Sequence, residues 1–187
     1  MKQLLWTIQT ESAYAEFEKS GILVANENYL FCGEELRFAY DWMARQMIKH
    51  IGTPPSGIHY PVWAWYQWEG KRKRRDLRQA GYAKRGTPMV QITFDAEPCS
   101  FLLSDFDSWH TVLMEQYNAI NEADWDDFYQ KHPHPSRNEI EPSWERIFDL
   151  SHHTPNWDPE PDKQSIQATL WKIELLQVKG VEHFLAK

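Results

Sequence analysis

Tyr60-Pro-Val-Trp-Ala-Trp-Tyr-Gln-Trp68, followed at once by Glu69-Gly-Lys-Arg-Lys-Arg-Arg-Asp-Leu-Arg78, decides how this chain is read. Three of the ten tryptophans stand at positions 63, 65 and 68, and five basic residues run without a break from Lys71 to Arg75. Aromatic and β-branched side chains predict a strand over 60–68. Alternation places Val62, Ala64, Tyr66 and Trp68 on one face and Trp63, Trp65 and Gln67 on the other. Aromatics on both faces imply a central strand, or a strand with a ligand on one side. An aromatic strand running into a basic loop suits a flat anionic ligand such as a nucleotide or a nucleic acid. It equally suits a buried strand that ends in a solvated turn.

Outward from this block, Leu4 to Gln9 reads as a first strand. Thr10 or Ser12 then caps a short helix from Ala13 to Lys19, ended by Gly21, and Ile22-Leu23-Val24 turns back toward the core. Helical spacing of Leu36, Phe38, Ala39, Trp42, Met43, Met47 and Ile51 predicts a longer helix from Glu34 to His50, stopped by Gly52-Thr-Pro-Pro55. After the basic loop, 69–87, strands are expected at Met89–Phe94 and Cys99–Leu103. Ser104 or Asp105 caps a helix from Phe106 to about Ile120, and Asp124–Gln130 continues as a second. His132-Pro-His-Pro135 is a loop, Pro142–Leu150 a helix, and 151–161 a loop again. Gln164–Ile173 and the end of 175–185 supply the last strands. Helices do not alternate regularly with strands, which argues against a doubly wound parallel sheet. The fold class expected is α+β, a mostly antiparallel central sheet with flanking helices.

At 187 residues one domain is expected over 1–187, and 42% hydrophobic with 14% aromatic content makes it globular. No apolar run approaches the ~18 residues of a membrane span. The N-terminus is too short and polar for a secretory leader. Two cysteines, Cys32 and Cys99, give no disulfide framework, and the chain reads as a reduced cytoplasmic protein. Net charge is −7, yet eight of the twenty Lys and Arg fall between Lys71 and Arg85. A basic loop on an acidic body points to a confined anionic ligand more than to a long duplex track.

The familiar catalytic motifs are missing: GxGxxG, the P-loop, HExxH and GxSxG do not occur. His132, His134, His152 and His153 near Asp158, Glu160 and Asp162 are the right ligand types for a divalent ion. They also fit surface loops rich in His and Pro, and no metal is expected. Ser143 and Ser151 look like helix caps, and the cysteines like inert small hydrophobes. Asp105, Asp107, Asp124, Asp126 and Asp127 sit where acids favour helix starts. The tryptophan strand is either core, each ring burying apolar area at ~25 cal/mol per Å2, or a stacking surface. The basic loop is either a solvated face or a phosphate contact, with Gly70, Gly81 and Gly86 as flexible points.

Trp6-Thr-Ile-Gln9, Phe38-Ala-Tyr-Asp-Trp-Met43, the 60–78 block and Leu102-Leu-Ser-Asp-Phe106 together resemble an uncharacterised bacterial family, the domain of unknown function 3841. That resemblance covers essentially the full chain and implies no assigned activity. A more distant resemblance is to ADP-ribosyltransferase-like proteins, nearest to the small DNA-modifying toxins of toxin–antitoxin pairs. It rests on a first strand, a short helix ending in Gly21-Ile-Leu23, and the paired ends Gln167-Ala-Thr-Leu-Trp-Lys-Ile173 and Val178-Lys-Gly-Val-Glu-His-Phe184. It implies an ADP-ribosyltransferase-like fold, NAD as cofactor, and Gln167 where such enzymes carry a glutamate. Thr7 or Gln9 would stand near their first-strand Arg or His, with Tyr60, Trp63 or Tyr66 flanking the nicotinamide. A glutamine is no general base, though its amide can hold a ribose hydroxyl, and Thr7 carries no charge. The resemblance therefore implies either rearranged chemistry or binding alone.

The first reading is the one the second resemblance implies, a nucleotide (NAD)-binding ADP-ribosyltransferase-like domain. Trp63 or Trp65 stacks on a ring, and Arg72, Arg74, Arg75 or Arg78 holds phosphate through the guanidinium fork. Gln9 and Gln167 orient ribose hydroxyls as the catalytic pair. The second reading is a non-enzymatic nucleic-acid-binding module using loop 71–85. The third is an adaptor binding a protein partner through its aromatic face. No membrane is expected as a partner.

Overall fold

The alternation that marks a half-buried strand is strongest in β4 (Pro88–Ala96), where Val90, Ile92, Phe94 and Ala96 are all completely buried. β4 pairs antiparallel with β1 (Gln3–Thr10) in an unbroken register from Gln3↔Ala96 to Thr10↔Met89. β1 pairs antiparallel on its other side with β3 (Val62–Gln67), Trp6 opposite Trp65. β4 in turn pairs antiparallel with β8 (Val178–Leu185). With β5 (Phe101–Asp105) and β6 (Ile166–Leu170) they form a six-stranded antiparallel sheet of order β5-β6-β3-β1-β4-β8. β2 (Ile22–Leu23) and β7 (Ile173–Glu174) make a separate two-stranded sheet. The computed structural model describes residues 1–27, 34–151 and 159–187. Among them are five α-helices: α1 (Glu11–Ser20), α2 (Arg37–Ile51), α3 (Phe106–Leu113), α4 (Glu122–Lys131) and α5 (Arg137–Trp144). The expected α+β class with an antiparallel sheet is what the chain forms. None of the described helices is long and apolar enough to cross a membrane.

The chain divides into two compact units. The first comprises Met1–Tyr66, Lys73–Leu102 and Ala168–Lys187. Its sheet has two chemically distinct faces, because side chains alternate along each strand and directly paired residues share a face. Leu5, Val90, Ile92 and Phe94 line one face, fully buried, and α1 packs against β1 and β4. Thr10 is the cap of α1, its hydroxyl accepting from the Ala13 N–H at 3.2 Å, and Gly21 ends the helix in the left-handed conformation at φ 77°. The expected alternatives of Thr10 or Ser12 thus resolve to Thr10. β3 is an interior strand, as the aromatics on both of its sides implied. It is shorter than expected: Tyr60 precedes it and Trp68 follows it, bridged to Lys71 across a tight turn.

The second unit comprises Gln67–Arg72 and Leu103–Gln167. Its core gathers Trp109 and Val112 of α3, Ile140 and Trp144 of α5, and Ile147. Asp105 caps α3 through the Ser108 N–H at 2.8 Å. That helix ends at Leu113 and not near Ile120, because Glu115 turns left-handed at φ 53°. The helix expected over 142–150 lies earlier, as α5 followed by a 3-10 turn over Glu145–Phe148. Its start is a capping box, Ser136 and Glu139 exchanging hydrogen bonds. Ser143 is therefore no cap: inside α5, it accepts from the Asn118 N–H and donates to the Ile140 carbonyl. Asp124 is more than a helix-start acid. The cap of α4 is Asn121, and Asp124 accepts from Tyr117, the Ile120 N–H and Arg146. The strand expected over 164–173 is broken into β6 and β7. Cys99 is exposed, contrary to the buried thiol expected. Cys32, His152, His153, Asp158 and most of the 151–161 loop lie outside the described residues.

Candidate functional site

The residues singled out from the sequence fall on both faces of the first unit's sheet. Trp6 and Trp65 are paired across β1 and β3, so they share a face, and Trp63 belongs to the same face by alternation. Thr7 and Gln9 alternate away from Trp6 and so stand on the opposite face. Thr7, 1% exposed, donates its hydroxyl to the Trp63 carbonyl at 2.8 Å. Gln9 donates its amide to the Thr7 hydroxyl at 2.8 Å. Thr7 therefore stitches β1 to β3 on the α1 side, and Gln9 bonds to it from the same strand. The aromatic face does not receive them.

Tyr60 is buried just before β3. Its hydroxyl accepts from Arg37 at 2.7 Å and donates to Asp41 at 2.9 Å. Burial pushes its phenol pKa up, the Asp41 carboxylate adds to this, and Arg37 opposes it. Trp63 is half-buried and meets Tyr40 of α2 edge-on at 6.2 Å. In the second unit Arg72 is exposed at the end of the Trp68–Lys71 turn. Gln167 stands on β6, and its side-chain carbonyl is buried with no protein group in hydrogen-bonding range. The Ser104 hydroxyl, on β5, is likewise buried and unmatched.

The basic loop is not splayed into solvent. Residues 73–87 form a strap that meets the tryptophan face of the sheet at three places. The Arg75 guanidinium lies over Trp65, 5.1 Å from its ring centroid, and over Tyr82 at 4.8 Å. Tyr82 meets Phe184 of β8 edge-on at 5.7 Å, and Phe184 is the partner of Met89 on that face. Arg74 is ion-paired with Glu182, the partner of Gln91. The strap is closed at its end by the Gly86 N–H to Ala186 carbonyl bond, 2.8 Å, and the Ala186 N–H to Thr87 carbonyl bond, 3.0 Å. Inside it, Asp76 accepts from the Arg78 backbone and guanidinium, and those hydrogen bonds hold its carboxyl well below the usual carboxylate range. Tyr82 donates its hydroxyl to the Asp76 carbonyl at 2.7 Å, and burial pushes that phenol up.

Of the four arginines expected to hold phosphate, Arg74 and Arg78 are thus matched by carboxylates of the same unit. Arg75 sits on the aromatic face in a fixed place. Beneath the strap lies a residue that sequence reasoning passed over: Gln91, 1% exposed on β4, with neither its side-chain N–H2 nor its carbonyl matched by a protein group. The signal was present as a glutamine inside Met89-Val-Gln-Ile-Thr-Phe94. Alternation alone reads it as a polar residue on a wet face, whereas in the fold that face is covered, the strap contributing through Arg74, Arg75 and Tyr82. Among the described residues no group of three or more His, Cys, Asp or Glu could hold a metal ion.

The family described as "Domain of unknown function (DUF3841)" matches residues 4–179. The chain belongs to that family. No curated protein and no solved structure matches it.

Proposed function

For this member of the family, we propose that the strap-covered face of the first unit binds a nucleotide, with NAD as the cofactor to try first. The observation that carries the reading is Arg75, held over Trp65 and Tyr82. A guanidinium supported on aromatic rings keeps its fork of donors in one place, which suits bidentate contact with phosphate. Trp6 and Trp65, side by side on the same face, are buried as the protein stands, and their rings become flat apolar area for a base or a nicotinamide only when the strap lifts. One of the contacts that hold the strap down is cheap to open. The Arg74–Glu182 pair is about half exposed on both sides, and exposed pairs are worth about 0–1 kcal/mol. Admitting a ligand requires the strap to lift at this pair, with its ends still joined by the Gly86–Ala186 and Ala186–Thr87 hydrogen bonds.

Titration calorimetry with NAD, ADP-ribose and AMP tests this on the wild-type chain and on Arg75→Met, which keeps the packing of the stem and removes the guanidinium. Saturable binding that weakens by roughly tenfold or more in Arg75→Met supports the reading, as a charge-assisted hydrogen bond is worth about 1.5–3 kcal/mol. No binding, or equal binding by both proteins, would sink it. Transferase chemistry is the extension of this reading, and release of free nicotinamide from NAD measures it. A nucleic-acid track is a weaker reading, since Arg74 and Arg78 already hold carboxylates. It would show as oligonucleotide binding with a log–log salt slope near ~−0.9 per phosphate on duplex DNA.

A further inference from the structure

Gln91 tells more about the ligand than the arginine does, and this inference rests on the nucleotide reading above. A primary amide at 1% exposure with both of its polar atoms unmatched is rare, because a buried donor or acceptor without a partner carries its full desolvation cost. The residue is not a stray on the wrong face. Its cross-strand neighbours are Ile8 on β1 and Glu182 on β8, so it lies midway along the face that the strap covers. Glu182 is ion-paired with Arg74 and makes no hydrogen bond to Gln91, while Ile8 offers none. Trp6, partner of Thr93 two residues along β4, and its own neighbour Trp65 continue the same face. An amide donor and an amide acceptor side by side, next to flat aromatic area, present half of a two-point hydrogen-bond pattern.

We infer that Gln91 reads the ligand by a paired contact, its N–H2 donating to an acceptor and its carbonyl accepting from an adjacent N–H2. The ligand class is a planar group that carries a donor and an acceptor on one edge. An adenine edge has this pattern, with its amino group beside a ring nitrogen, and glutamine is a standard partner for it. A carboxamide such as that of nicotinamide has it too. A site built around such a contact rejects an analogue that lacks one of the two groups, since the protein's own amide is then left unmatched again.

Four probes separate the sources on the full-length wild-type chain. AMP is compared with the purine ribonucleotide that lacks the 6-amino group, and nicotinamide mononucleotide with nicotinic acid mononucleotide. The expected result is a preference of roughly tenfold or more for the amino or amide member of one pair, lost in Gln91→Leu. The pair that discriminates names the source. Gln91→Met, which keeps the length of the side chain and removes both polar groups without adding a charge, gives a second variant should Gln91→Leu not fold, and it too should lose the preference. All four probes binding alike would leave the nucleotide reading standing and overturn this one, as would a preference that survives both substitutions. Binding of none of the four would overturn both readings.

Discussion

At the scale of single residues, the polar groups inside this fold separate into matched and unmatched ones, and the two kinds should respond oppositely to removal. Tyr60 is matched twice, by Arg37 and by Asp41. Tyr60→Phe is expected to lower stability by about 1.5–3 kcal/mol in urea unfolding, the range for hydrogen bonds to charged groups. Gln91 is unmatched, so Gln91→Leu is expected to raise the stability of the ligand-free protein by about 1 kcal/mol or more. A gain in stability with a loss of binding is the signature of a residue kept for function. A residue that only fills the core would show neither. The sequence made the aromatic members of this site legible, Trp63 and Trp65 above all, because large rings beside a basic run are conspicuous. It could not show which face each residue takes: a one-residue shift in strand register reverses every assignment. Thr7 and Gln9 went to the far side of the sheet for that reason, while Gln91 came to the near one.

At the scale of elements, the tight turn after β3 makes a sharp demand. Gly70 has φ +70°, and a Cβ there would stand 1.8 Å from the Asp162 carbonyl oxygen. Gly70→Ala should cost about 3 kcal/mol or more in thermal or urea unfolding, combining left-handed strain with overpacking against backbone. Gly81 has φ +97° with open space around it, so Gly81→Ala should cost only about 1–2 kcal/mol, the strain alone. The start of α5 supplies a pH test. The Ser136 hydroxyl and N–H, then His132, hold the Glu139 carboxyl down at about 2, from its ordinary 4.5. A folded-state value below the unfolded one means that this cap contributes fully above pH 4.5 and fades as pH falls toward 2. Glu139→Gln should flatten the acid limb of the stability curve across that window. A curve identical to wild type would show that the cap carries no pH dependence. The strands were legible because alternation is local, whereas two of the helices were misplaced. Trp144, Ile147 and Phe148 have helical spacing, and Pro142 before them looks like a helix start. The capping box at Ser136 and Glu139 is the real start, hidden behind His132-Pro-His-Pro135. The left-handed Glu115 that ends α3 has no glycine to announce it.

At the scale of the whole molecule, an acidic chain of net charge −7 folds its most basic segment back onto itself. In the sequence, residues 71–85 read as a basic loop, either a solvated face or a phosphate contact. In the structure, strap residues 73–87 are anchored by Arg74, Arg75, Tyr82 and Gly86 across one face of the sheet. Long-range pairings of this kind, such as Arg74 with Glu182, leave no local pattern to read. The strap helps to cover a sheet face that carries an unmatched amide, Gln91. Hydrogen exchange of the full-length chain with and without NAD tests this arrangement most directly. NAD is expected to slow exchange in residues 73–87 and in the facing amides of β4 and β8, as the strap closes over the ligand. Exchange that is unchanged there at saturating NAD, or slowed only in residues 103–167, would contradict it.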